Sequence, residues 1–290
     1  MSVSLWCEEE EGQDRTQSSV RAPWDPSVSG LRVIQRLLQS EERYLPSPLY
    51  ISLIQREPQR RGELAKWTME VDLHANNQNL VLDIKYVVHV FNISNFVFEA
   101  LFTTCVLVAS KLTESDTVSA DTLCAAAEYD FLSSNLREME RVVLATLRWD
   151  VAAVTPQDFI PHFLRTLGEL RDGDARTGDF LATLRRHGDT LVALCVCDSR
   201  FLGSPPSLVA AAALNSALRG LRAKSAGELS VMTSALATLC QTDVTVLQCC
   251  TELIEGALRE RLRNGAHEEK DGDIEEERAS TPTDLREIDF

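Results

Sequence analysis

The chain has 290 residues, is 44% hydrophobic and carries a formal charge of −15. That length and apolar content suffice for one large domain or two ordinary ones with real cores, and 13 Gly and 10 Pro are too few for a fibrous chain. The acidity disfavours nucleic-acid binding, because a negative surface repels phosphate backbones and no Lys/Arg cluster is present to release counterions.

No basic region followed by an apolar stretch opens the chain, and the most apolar region, around Leu80 to Leu112, is broken by Asp83, Lys85, His89, Glu99 and Lys111. Neither a secretory signal nor a membrane span is expected, and the protein is read as intracellular. The eight Cys form no CxxC pair with partner ligands, so no metal site and no cofactor are expected. In a reducing compartment most of them read as small buried hydrophobes.

Residues 1–29 are polar, contain Pro23 and Pro26, and read as a flexible arm. Within it, Leu5-Trp6-Cys7-Glu8-Glu9 places Leu5, Cys7 and Glu9 on one face of an extended backbone, a form that fits a partner's groove, although so short a pattern also arises by chance. Leu31, Ile34, Leu37 and Leu38 recur at helical spacing up to Ser40, and the Pro46-Ser47-Pro48 turn ends that element. A second helix is predicted from about Gln59 to Val71, with Leu64, Trp67 and Val71 on one face.

Residues 72–98 mix β-branched and aromatic side chains without a clean period, so helix and strand stay unresolved there. Glu99 to Lys111 reads as a buried helix, Ser119 as the N-cap of a short helix Ala120 to Ala127, and residues 131–148 as a strongly amphipathic helix closed by Trp149. The following VAAVTP runs extended to Pro156, which sets the domain boundary. Five more helices are predicted: Gln157 to Leu170, Gly178 to Cys197, Pro206 to Leu221, Ser230 to Cys240 and Asp243 to Leu262. The fold class is therefore all-α, two units of about five helices, followed by a disordered acidic tail in which His267 to Phe290 holds ten acids against three bases.

Several long strings then take on a shared meaning. EERYLP (Glu41 to Pro46), the Arg60 to Val71 stretch with its Trp67, TTCVLVASKLTES (Thr103 to Ser115), LRWDVAAVTPQDFIPHFL (Leu147 to Leu164), TLVALCVCDSRFLGSPPSLVAAA (Thr190 to Ala212) and STPTDLREIDF (Ser280 to Phe290) together resemble a D-type cyclin over nearly the whole chain. The resemblance implies two tandem cyclin boxes: an arm at 1–29, boxes at 30–152 and 153–262, and a tail at 263–290. It implies no catalytic residue. It also implies a regulatory subunit that binds and activates cyclin-dependent kinase 4 and cyclin-dependent kinase 6 at the G1/S transition and directs them to retinoblastoma-family proteins.

By the same resemblance, Lys111 and Glu140 match the kinase-binding residues, and Leu5, Cys7 and Glu9 with Trp67 match substrate-docking elements. Thr281, ahead of Pro282, matches a phosphorylated threonine that favours nuclear export and destruction through a ubiquitin ligase. Cip/Kip-type inhibitors join the expected partners, and nucleus and cytoplasm are the expected locations. Without the family, Lys111 would read as a cation at a helix end and Glu140 as a solvated surface charge.

The chain departs from the family in two places. Arg60, Gly62 and Glu63 stand where apolar or basic residues of a docking patch are usual, which weakens docking there. Asp72 to Phe98 lacks the family's acidic stretch and its NYLDRFL-like helix, the mark of either a divergent paralogue or a mis-spliced segment. A pseudo-cyclin that binds partners without activating a kinase is the alternative this segment keeps open; an enzyme is disfavoured by the absence of a P-loop, metal spacing or nucleophile motif.

Overall fold

The computed structural model describes residues 30–54, 62–63, 95–113, 117–126, 132–151, 153–171, 177–221 and 226–268. Among these the regular elements are helices: α1 Leu31–Glu41, α2 Pro48–Ile54, α3 Asn95–Thr113, α4 Ala120–Ala126, α5 Ser133–Thr146, α6 Pro156–Leu170, α7 Thr177–Cys197, α8 Pro206–Gly220, α9 Ala226–Leu239 and α10 Val244–Glu268. The expectation at Gln59 to Val71 falls outside the described residues except for Gly62 and Glu63, which are helical.

Local chemistry sets several boundaries. Ser119 does cap α4, its Oγ accepting from the Thr122 N–H at 3.0 Å. Thr155 and Asp158 form a reciprocal capping box at the start of α6, with Pro156 in the first turn. The last helix runs to Glu268, so residues 263–268, expected in the tail, are helical and continue α10.

The larger core is built around α8. Val209 to Leu214, Ala217 and Leu218 are buried, and α6, α7, α9 and α10 pack about them through Phe159, Phe163, Leu191, Met232, Leu247, Ile254 and Leu258. Small side chains on α8 let its neighbours approach closely. A Cβ added at Gly188 of α7 would lie 2.8 Å from Leu214 Cδ2, so any larger residue there displaces the buried Leu214 side chain. Across this core Asn215 donates to Thr251 Oγ1 at 3.1 Å and accepts from Thr233 Oγ1 at 2.7 Å, tying α8, α9 and α10 together with a satisfied polar network.

A smaller core joins α3, α4 and α5. Leu107, Leu123 and Leu136 meet in one cluster, and Leu101, Cys105 and Val143 in another. The C-terminal end of α7 reaches this first unit, where Val196 and Cys197 pack against the Leu107 cluster. The reverse crossing is made by α1: its buried Ile34 belongs to the α8-centred core, with Leu37 and Leu38 packed against the same core. Although α1 precedes the first unit in sequence, it packs on the second.

The cysteines divide by burial. Cys105, Cys195, Cys240 and Cys250 are buried, Cys124 and Cys197 half-buried, and Cys249 exposed. Glu41 is a buried carboxylate at the end of α1, and its partners lie far along the chain at the start of α8.

Candidate functional site

The side chains singled out on α3 and α5 meet. Helix α3 is apolar almost all round, with Ala100, Leu101, Val106, Leu107 and Ala109 buried, which fixes it as the inner helix of the first unit. Lys111 lies in its last turn, where the helix dipole favours a cation and the chain emerges from the core. Helix α5 packs along α3 through Leu136 and Val143, and this stripe turns Glu140 toward the emerging lysine.

The result is a two-pronged ion pair: Lys111 Nζ donates to Glu140 Oε1 at 2.6 Å and to Oε2 at 2.8 Å. The two ends differ in environment. The Lys111 side chain is 46% exposed and that of Glu140 only 15%. An ammonium has three protons, so this geometry leaves lysine donor capacity facing outward over a site whose charge is locally balanced. Such a pair contributes little to stability alone, but gains strength when a partner removes the surrounding water.

Apolar groups that sequence reasoning did not assign to a site stand exposed nearby in the chain. Leu112, next to Lys111, is an exposed side chain, as is Val142 on α5. Nine residues after Glu140 comes Trp149, 73% exposed, in the turn that ends α5. Arg148 and Trp149 both adopt left-handed backbone, with φ of 53° and 61°. That conformation is costly for residues with a Cβ and is stabilised here by the Trp149 N–H donating to Leu144 O at 2.9 Å. A large aromatic held outward on a rigid turn has the form of an interface anchor.

Among the described residues there is no cluster of three or more His, Cys, Asp or Glu able to hold a metal, and no helix long and apolar enough to cross a membrane. Leu5, Cys7, Glu9, Trp67 and Thr281 lie outside the described residues, as does nearly all of the divergent stretch 72–98. Of the altered docking patch Gly62 and Glu63 are described. Glu63 is exposed, and a Cβ on Gly62 would sit 3.3 Å from the Cys197 carbonyl oxygen, which places this glycine against the end of α7.

The cyclin N-terminal domain family matches residues 32–152, and the cyclin C-terminal domain family matches residues 154–281. G1/S-specific cyclin-D1 of Danio rerio is 33% identical over 284 residues, spanning 93% of this chain and 95% of the relative. The chain belongs to the D-type cyclins. G1/S-specific cyclin-D2 of Gallus gallus is 35% identical, over 89% of this chain and 92% of its own length, and G1/S-specific cyclin-D3 of Bos taurus is 35% identical, over 87% and 86%. Among solved structures, an X-ray structure of a viral cyclin from herpesvirus saimiri superimposes with a TM-score of 0.63 at 17% identity, covering 79% of this chain and 97% of the viral one, a likeness of fold. The two tandem helical units of this D-type cyclin are thus cyclin domains, and its role is regulatory, in the cell cycle.

Proposed function

We propose that this D-type cyclin is the regulatory subunit of a protein kinase complex, binding and activating cyclin-dependent kinase 4 and cyclin-dependent kinase 6 at the G1/S transition. The observation that carries this reading is the two-pronged Lys111–Glu140 pair on adjacent helices, its lysine half in solvent and flanked by exposed Leu112. A protein kinase is competent only when its strand lysine pairs with a glutamate on a mobile helix, and a partner packed on that helix shifts the population toward the paired state. In the docked complex Lys111 donates to groups on the kinase while Glu140 holds the lysine in place. Trp149 supplies apolar contact at the edge of the same unit.

Targeting comes from outside the boxes. Leu5, Cys7 and Glu9 dock retinoblastoma-family proteins as an extended strand, with Trp67 contributing to a second docking patch that also receives Cip/Kip-type inhibitors. The exposed Glu63 weakens that patch by setting a carboxylate where an apolar contact would form. Phosphorylation of Thr281 adds a dianion that a basic pocket can read, favouring nuclear export and delivery to a ubiquitin ligase, so the protein cycles between nucleus and cytoplasm.

The test is co-expression with each of the two kinases and measurement of phosphate transfer to a retinoblastoma fragment. Turnover within about tenfold of a D-type relative's complex is expected, a barrier difference of about 1.4 kcal/mol. A well-folded protein that binds kinase and leaves it inactive would replace this reading with that of a pseudo-cyclin.

A further inference from the structure

The segment joining α1 to the rest of the chain is fastened at both ends to residues far away in sequence. At one end the Glu41 carboxylate, 5% exposed, accepts from the Ser207 N–H at 2.8 Å through Oε2 and from the Ser207 hydroxyl at 2.7 Å through Oε1, at the first turn of α8. At the other end the Tyr44 hydroxyl donates to Asp150 Oδ1 at 2.7 Å, in the turn that ends α5 at the close of the first cyclin domain. Between them lies a single 3₁₀ turn, Glu42–Tyr44, with the Arg43 guanidinium 5.7 Å from the Tyr44 ring centroid.

Asp150 is the residue after Trp149, and its own N–H donates to Leu147 O at 3.0 Å. Two successive left-handed residues with side chains persist only where the surroundings fix them. Backbone hydrogen bonds fix this turn from within, and Tyr44 fixes it from without. Helix α1 is itself docked on the second unit through Ile34, Leu37 and Leu38, and its last residue, Glu41, adds the two bonds to Ser207.

We infer that Glu41 to Tyr44 form a clamp between the two cyclin domains, and that Glu41 and Tyr44 are positioning residues for the turn that ends α5 and presents Trp149. The clamp connects the start of α8 to the turn ending α5 through one short, stiff segment. The use of that turn by a kinase rests on the kinase-binding reading above. The clamp itself does not.

The full-length chain tests both levels through Tyr44→Phe, which removes only a hydroxyl, and Ser207→Ala, compared with the conservative Ser207→Thr. Hydrogen exchange is read at the Trp149 and Asp150 amides and along α1, with α8 core amides as reference. Tyr44→Phe is expected to speed exchange at Trp149 and Asp150 by about three- to tenfold, the worth of one exposed hydrogen bond to a charged acceptor. Ser207→Ala is expected to speed exchange along α1 by a similar factor and Ser207→Thr to restore it, while α8 core amides stay unchanged. Unchanged exchange at Trp149 and Asp150 in Tyr44→Phe, or equal acceleration everywhere, overturns the clamp.

Kinase affinity is then measured at a temperature where every variant is fully folded. Tyr44→Phe and Trp149→Ala are each expected to weaken binding several-fold, and the double variant by less than the product of the two. Faster exchange with unaltered affinity in a wild-type protein that does bind kinase overturns the positioning role. A wild-type protein that binds no kinase removes the functional reading alone, and the exchange data still decide the clamp.

Discussion

Lys111 Nζ sits 2.6 Å and 2.8 Å from the two carboxylate oxygens of Glu140, with the lysine half in solvent and the glutamate largely covered. Both groups keep contact with water, so the attraction between them is worth about 1 kcal/mol. A charge swap therefore separates the two roles this pair can have. Lys111→Glu and Glu140→Lys singly are expected to weaken kinase binding at least tenfold with small losses in urea midpoint. The double variant restores the internal attraction and hence the midpoint. Affinity stays low, because the charges presented to the partner are reversed. If the double variant bound kinase as the wild type does, the pair would be structural only.

The buried Asn215 network sets a different scale. Asn215 is 2% exposed and bonds Thr233 and Thr251 on two other helices; the Thr251 hydroxyl, which accepts from Asn215, donates to Leu247 O at 2.8 Å, while the single Thr233 hydroxyl proton is shared between Asn215 Oδ1 and Leu229 O, the latter at 2.8 Å. Asn215→Ala opens a cavity and removes both links, and is expected to cost about 2–4 kcal/mol. Thr251→Val leaves the Asn215 amide without its acceptor and is expected to cost about 1–3 kcal/mol. Replacing both at once, Asn215→Leu with Thr251→Val, should cost less than the sum of the singles, because an apolar pair leaves no amide stranded. Chemical denaturation with unchanged m-values is the measurement, and strict additivity would contradict the coupling.

Thiol reactivity should follow burial. Burial pushes Cys240 up to about 12 and Cys250 up to about 11, and raises Cys195 well above the ordinary thiol value, so these thiols are neutral and shielded. Cys249, next to Cys250 in sequence, is exposed. Brief treatment of the folded protein with iodoacetamide at neutral pH should label Cys249 first among the described cysteines, and Cys195, Cys240 and Cys250 only on unfolding. Peptide mass mapping would show early label on Cys195 if its helix opened on the same timescale.

What pattern could reveal depended on distance along the chain. The α6 stripe of Phe159, Phe163 and Leu167 is visible as a period, and the same residues are fully buried. Lys111 and Glu140, 29 residues apart on two helices, were singled out only through the family resemblance, and their contact with each other is a finding of the structure. Glu41 and Ser207 could not be paired, since 166 residues separate them and an acid at a helix end usually faces water. The assignment of α1 to the second unit was hidden for the same reason: its apolar stripe shows that it packs, and not on what. Trp149 read as the closing residue of a helix because periodicity reports spacing, whereas its exposure depends on the left-handed turn.

His162, half-buried on α6, gives the fold a pH dependence of defined sign. Burial lowers its affinity for a proton below the ordinary value of 6.5; the charge of Arg165 acts in the same direction and that of Asp158 in the opposite one. In the folded state the ring is thus harder to protonate than in the unfolded chain. Between the two pKa values the unfolded state binds more protons, so stability rises with pH there. The contribution is complete above about pH 6.5 and is lost as pH falls through the unfolded value toward the lower folded one. Other groups titrate over the same range, so the useful quantity is a difference. The fall in urea midpoint from about pH 7.5 to about pH 5.5 should be larger in the wild type than in His162→Gln, which carries no proton to gain. Equal falls in the two proteins would show that His162 titrates alike folded and unfolded, and a larger fall in the variant would mean that the Asp158 charge outweighs burial.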